Sequence, residues 1–218
     1  MTLRKRYSQK LALSILVSTL VLSPHLSSLT QASAGPLGID YRWPRSDTGI
    51  WRRDNQFVLQ YVTVGTGLAG ALWFGNDTQL GRTFFQALDA SAISAIAVHS
   101  LKLTTGRSRP IKHNNPNEWF IDYFCNRSFP SAEVTLQASF ITPFIVSYIK
   151  EKPWILALEI LPLYVGIARM KSQAHWQTDV LAGWLLGTAI GYYCTKSHRP
   201  LIVSLLPTGL SVGFYKKF

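Results

Sequence analysis

Five apolar segments between residues 57 and 195 constrain the fold of this chain more than any other feature. The first, Phe57–Gly75, runs 19 residues without a charge, close to the roughly 20 that a helix needs to cross a bilayer. The second, Thr83–Leu101, carries Asp89 and many small residues, so it should face protein rather than lipid. The remaining three, Val134–Ile149, Trp154–Ala168 and Val180–Thr195, hold 15 or 16 residues each. They reach spanning length only by borrowing a turn from their flanks. Two all-α architectures follow: a membrane-embedded bundle with five or six spans, or a soluble helical bundle. Intrinsic disorder is excluded, because 47% of the residues are apolar and only 15% charged, against roughly 25% charged in a soluble domain.

The N-terminal stretch 1–34 reads as an export signal or as a first spanning helix. Arg4, Lys5, Arg6 and Lys10 precede the apolar run Leu11–Leu22, and Ala32-Ser33-Ala34 offers a cleavage site. Without that stretch the chain holds 18 basic residues against 11 acids. Such a balance invites a nucleic-acid reading, yet no long Lys/Arg run, zinc-finger spacing or RNA-recognition signature accompanies it. Basic residues beside apolar runs fit loops at a membrane surface instead: Lys150, Lys152, Lys196 and Arg199 suit a cytoplasmic side. Arg42, Arg45, Arg52 and Arg53 in the 35–56 loop suit an outer side less well. Segments 35–56 and 110–130 are rich in loop-forming residues, and the tail alternates around Pro207-Thr208-Gly209 as a short hairpin does. Cys125 and Cys194 are too few for a disulfide framework and are expected on opposite sides, unpaired.

Three polar clusters interrupt the apolar segments. Lys102 and Arg109 are seven residues apart, about two helical turns, so they can share a face if Gly106 leaves the helix intact. Ser131, in Phe129-Pro130-Ser131-Ala132-Glu133, sits where it can cap a helix and offer backbone N–H groups to an anion. His175 and Asp179 are i and i+4, which lets a carboxylate reach an imidazole on one helical face. Taken together, Lys102, Arg109 and Arg169 can neutralise a phosphoryl group, with His175 as nucleophile and Asp179 fixing its tautomer. Taken singly, each has an ordinary structural reading as a basic helix flank, a local hydrogen bond or a snorkelling arginine.

The ordered pattern Lys-x6-Arg-Pro, Pro-Ser, Arg-x5-His-x3-Asp resembles the type 2 phosphatidic acid phosphatase and vanadium haloperoxidase superfamily over about residues 57–195. The resemblance implies a helical-bundle phosphatase domain there, with the site at the outer face of a bacterial inner membrane. It implies phosphate binding by Lys102, Arg109, Ser131 and Arg169, a phosphohistidine at His175 oriented by Asp179, and no metal or other cofactor. The implied substrate is a lipid phosphate or diphosphate, among membrane lipids, with a soluble periplasmic acid phosphatase as the alternative. Vanadate chemistry is formally open, with nothing in the sequence to favour it.

Two motifs depart from that family's pattern. The second usually reads Pro-Ser-Gly-His and here reads Pro130-Ser131-Ala132-Glu133; the third usually begins Ser-Arg and here begins Ala168-Arg169. The missing His is the family's general acid, a loss of roughly 10²–10⁴ in rate if nothing replaces it. Glu133 replaces it if a neighbouring phosphate keeps the carboxyl protonated; otherwise it is an ordinary first-turn helix acid. A diphosphate substrate relaxes the need for an acid, because phosphate leaves more readily than an alkoxide. The same departures also fit a member that binds phosphate headgroups without turning them over.

Overall fold

The computed structural model describes residues 35–121 and 127–196, together with the backbone of 203–206 and 209–212. The export-signal reading of residues 1–34 and the placement of Cys125 lie outside the described residues. Among the described residues five α-helices follow an irregular segment: α1 Arg53–Phe74, α2 Gln79–Thr105, α3 Ala132–Tyr148, α4 Ile160–Lys171 and α5 Gln177–Cys194. Short 3-10 turns at Gly49–Trp51 and Pro153–Glu159 lead into α1 and α4. The tail forms an antiparallel hairpin of β1 Val203–Leu206 and β2 Gly209–Val212, with Val203 paired to Val212. The helical bundle expected from the apolar segments is therefore present, and so is the short hairpin expected of the tail.

Sequence chemistry sets the helix limits. Thr78 caps α2, its hydroxyl accepting the Gly81 N–H at 3.0 Å. Gly106 ends α2 in the left-handed region (φ 49°, ψ 31°), where glycine carries no side-chain penalty. The α5 start is closed by its own acid: Asp179 Oδ2 accepts the Trp176 N–H at 2.8 Å.

Helices α3 and α5 pack backbone to backbone. Gly183, Gly187 and Gly191 recur every fourth residue of α5 and face α3, and a Cβ at Gly187 would lie 2.3 Å from the Thr135 carbonyl oxygen. That glycine stripe lets the two helices approach as small-residue faces do in membranes. Val134, Ala138, Val165, Met170, Val180 and Trp184 fill the core beside it.

The outer face of α1 is apolar. Helix α1 leaves Val58, Tyr61, Val62, Leu72 and Trp73 uncovered, Trp73 at 85% exposure. Such an apolar stripe is compatible with a lipid surface. Three helical stretches among the described residues are long and apolar enough to cross a membrane: Arg53–Phe74, Gln79–Thr105 and Pro153–Lys171. The expected five or six spans are not reached on that measure. Helix α3 has 17 residues, and α5 opens on the polar Gln177-Thr178-Asp179. The three apolar helices and the exposed α1 face support membrane association.

The chain order gathers chemistry at one end of the bundle. Arg53 begins α1, Lys102 lies in the last turn of α2 and Glu133 in the first turn of α3. Arg169 lies in the last turn of α4 and Asp179 in the first turn of α5.

Candidate active site

Backbone hydrogen bonds tie the three polar clusters into one unit. The Ser128 N–H donates to the Arg107 carbonyl at 2.8 Å, and the Ser131 N–H to the Asp179 carbonyl at 3.0 Å. The Ile111 N–H donates to Gln173 O at 2.9 Å, and the Trp176 indole N–H to Ser108 O at 2.9 Å. Lys102 Nζ donates to the carbonyl of Arg127 at 2.9 Å, and Arg109 Nη2 approaches the same oxygen at 3.5 Å. The two bases thus converge, though not on a helical face. Helix α2 stops at Gly106, and Arg109 lies in the irregular segment beyond it.

His175 is 4% exposed and sits ahead of α5, in the turn that follows α4. Burial holds its imidazole well below the usual pKa of 6.5, and the positive charges of Lys102, Arg169 and Arg109 depress it further. The ring is therefore neutral at pH 7, the state in which a nitrogen lone pair is available to attack. Those same three bases are the ones assigned to a phosphoryl group.

Asp179 does not reach the ring as an i,i+4 helical pair, because His175 is outside the helix. Its Oδ2 is 3.8 Å from Nδ1, beyond hydrogen-bond range. The carboxylate is held instead by Arg107, whose Nη1 donates to Oδ1 at 2.5 Å, and by the hydroxyl of Ser128 on Oδ2. Arg107 also donates to Asp40 Oδ2 at 2.6 Å. Asp40 in turn accepts the Thr178 N–H at 2.8 Å and the Thr178 hydroxyl at 2.6 Å. Arg107, Asp40 and Asp179 are all fully buried.

Glu133 has partners that favour its ionised form. Arg53 grips it with two bonds, Nη2 to Oε1 at 2.6 Å and Nη1 to Oε2 at 2.8 Å. Arg169 Nε is 2.9 Å from Oε2. Gln56 joins the two arginines, its Oε1 accepting from Arg53 Nη1 at 3.2 Å and Arg169 Nη1 at 3.3 Å. A carboxylate in a paired arginine grip accepts hydrogen bonds and holds no proton to give. The acid role expected of Glu133 does not fit these partners.

Ser131 is the N-cap residue of α3, yet its hydroxyl makes no cap bond. That buried oxygen has no hydrogen-bond partner among the described residues. Sequence reasoning passed over Arg53, Asp40, Arg107 and Ser128. The closest signal was the alternation Arg107-Ser108-Arg109 after a helix-ending glycine, where neighbours two apart take different partners.

A family model described as PAP2 superfamily matches residues 84–202. The chain belongs to the PAP2 superfamily. All three polar clusters lie inside that match, whereas Asp40 and Arg53 precede it. Among solved structures the chain is similar to Aquifex aeolicus LpxE, at 17% identity over 66% of this chain and 85% of that one, with a TM-score of 0.43. No curated protein matches it. PAP2 membership supports a phosphatase of the lipid-phosphate type.

Proposed function

We propose that this protein is a membrane phosphatase that hydrolyses a lipid phosphate or diphosphate through a phosphohistidine. The carrying observation is a buried His175 with the positive charges of Lys102, Arg169 and Arg109 close enough to act on it. Helices α3 and α5 add their N-termini at the same end of the bundle, a further attraction for an anion. The site faces the periplasm in this reading, at the outer side of a bacterial inner membrane.

His175 attacks phosphorus with the Nε2 lone pair, since Nδ1 faces Ser128 and Asp179. The P–N bond forms as the bond from phosphorus to the leaving oxygen breaks, and that oxygen keeps the electron pair. Lys102, Arg109, Arg169 and the Ser131 hydroxyl hold the non-reacting oxygens, where preorganised donors do most for a phosphoryl transition state. Water then attacks phosphorus, the P–N bond breaks, and inorganic phosphate departs with His175 restored.

The ionised Glu133 favours one substrate chemistry over the other. An alkoxide leaving from a monoester needs a proton, worth about 10²–10⁴ in rate, and no protonated carboxyl supplies it here. A lipid diphosphate releases a lipid monophosphate, an anion stable without protonation. The diphosphate is therefore the preferred substrate.

Phosphate release from purified protein tests this reading, on an isoprenyl diphosphate, phosphatidic acid, phosphatidylglycerophosphate and a soluble aryl phosphate. Turnover of the diphosphate should exceed that of the lipid monoesters, and His175→Ala should abolish both. Equal turnover of diphosphate and monoester would overturn the substrate preference. Phosphate binding without release from any substrate would replace the enzyme with a headgroup-binding protein.

A further inference from the structure

We infer that Ser128 is a positioning residue that carries the influence of Asp179 to His175, an inference that rests on His175 being the nucleophile. The direct path is too long, with 3.8 Å between Asp179 Oδ2 and His175 Nδ1. Asp179 is also occupied: Arg107 takes Oδ1, and the Trp176 N–H takes Oδ2 at 2.8 Å. Ser128 bridges the gap. Its hydroxyl donates to Asp179 Oδ2, and its Oγ lies 3.5 Å from His175 Nδ1.

One hydroxyl proton decides the tautomer. Ser128 Oγ has two acceptors in reach, Asp179 Oδ2 and the Ala174 carbonyl at 3.3 Å. The carboxylate is both nearer and charged, so it takes the proton. Toward the imidazole Ser128 then presents only lone pairs, so Nδ1 carries the ring hydrogen and Nε2 keeps its lone pair. At 3.5 Å the Ser128 contact is the shorter of the two routes to Nδ1 and lies at the edge of hydrogen-bond range, whereas the direct route lies beyond it. Ser128 is placed for this by its backbone, since its N–H is fixed on the Arg107 carbonyl and the residue is fully buried.

The fixed carboxylate has a source outside the family-matched region. Asp40 holds Arg107 from one side and the Thr178 N–H from the other. Asp179 therefore keeps one position and orients His175 at second hand. Ser128 touches neither phosphorus nor the leaving group in this arrangement.

The test uses full-length protein in detergent with an isoprenyl diphosphate. Ser128→Ala should lower kcat about 10–100-fold, by analogy with losing the partner that orients a metal-bound histidine, with KM unchanged. Ser128→Thr should restore most of the rate. Ser128→Ala combined with Asp179→Asn should be no slower than Asp179→Asn alone, because both break one path. Wild-type kcat in Ser128→Ala, or losses that multiply in the double variant, would overturn the relay while an inactive His175→Ala upholds the phosphatase. An active His175→Ala protein would overturn the phosphatase reading and the relay with it. Nitrogen NMR on the wild-type protein gives a readout independent of variant folding. His175 should show the Nδ1–H tautomer, and an Nε2–H ring would overturn the inference.

Discussion

Two charge clusters lie at the same end of the bundle and are built in opposite ways. In the Asp40–Arg107–Asp179 cluster every side chain is fully buried. Its second negative charge is met by the Thr178 and Trp176 N–H groups at the start of α5. That cluster is closed, with its charges answered from within the fold. The cluster around His175 is open: Arg53 and Arg169 hold Glu133, and the Ser131 hydroxyl is unpartnered among the described residues. In the proposed function the closed cluster fixes geometry and the open one receives phosphate.

The sharpest break of that contrast is at the open cluster. His175→Ala should reduce phosphate release by about 10³-fold or more while leaving thermal unfolding close to wild type. A comparable loss of stability would place His175 in the fold instead. Arg107→Ala attacks the closed cluster, leaving Asp40 and Asp179 without their shared partner. It should cost about 3–5 kcal/mol of stability, read by denaturation in detergent. A folded, fully stable Arg107→Ala protein would show that the cluster is not the clamp described.

Glu133→Gln sharpens the comparison from within the open cluster. With an ionised Glu133, the loss should stay within about tenfold, or 1.4 kcal/mol, and be similar on diphosphate and monoester. A loss of about 10²–10⁴ confined to the monoester would restore the acid role. The smallest effect is a titration. A neutral imidazole is required, and burial with three positive neighbours disfavours the imidazolium. The His175 midpoint by NMR should therefore lie below pH 6.5, and Lys102→Met should move it upward by removing one of those charges. A midpoint above 6.5 in the wild type would contradict the arrangement.

The open cluster was largely legible in the sequence, because spacing between charged residues and apolar segments survives folding. Lys102, Arg109, Arg169 and His175 come together as their order suggested. The geometry behind two pairings was not legible. Gly106 ends α2 before Arg109, and His175 precedes α5, so neither pair shares a helical face. The closed cluster was missed because Asp40 and Arg107 are 67 residues apart, and no periodicity links a loop acid to a loop base. Arg53 was missed for the same reason: its grip on Glu133 crosses 80 residues, and its position four residues ahead of the apolar run at Phe57 read as part of the 35–56 loop. The Gly183, Gly187, Gly191 stripe became meaningful only once α3 was seen lying against it.

The central claim is that phosphorus is transferred to His175. The most direct measurement is a rapid base quench of the protein turning over a diphosphate labelled on its terminal phosphate, followed by peptide mapping. Phosphohistidine survives base and is lost in acid. The account predicts label on the His175 peptide that is base-stable, acid-labile and absent from His175→Ala. Steady turnover with no label on any histidine, or label on another residue, would contradict it.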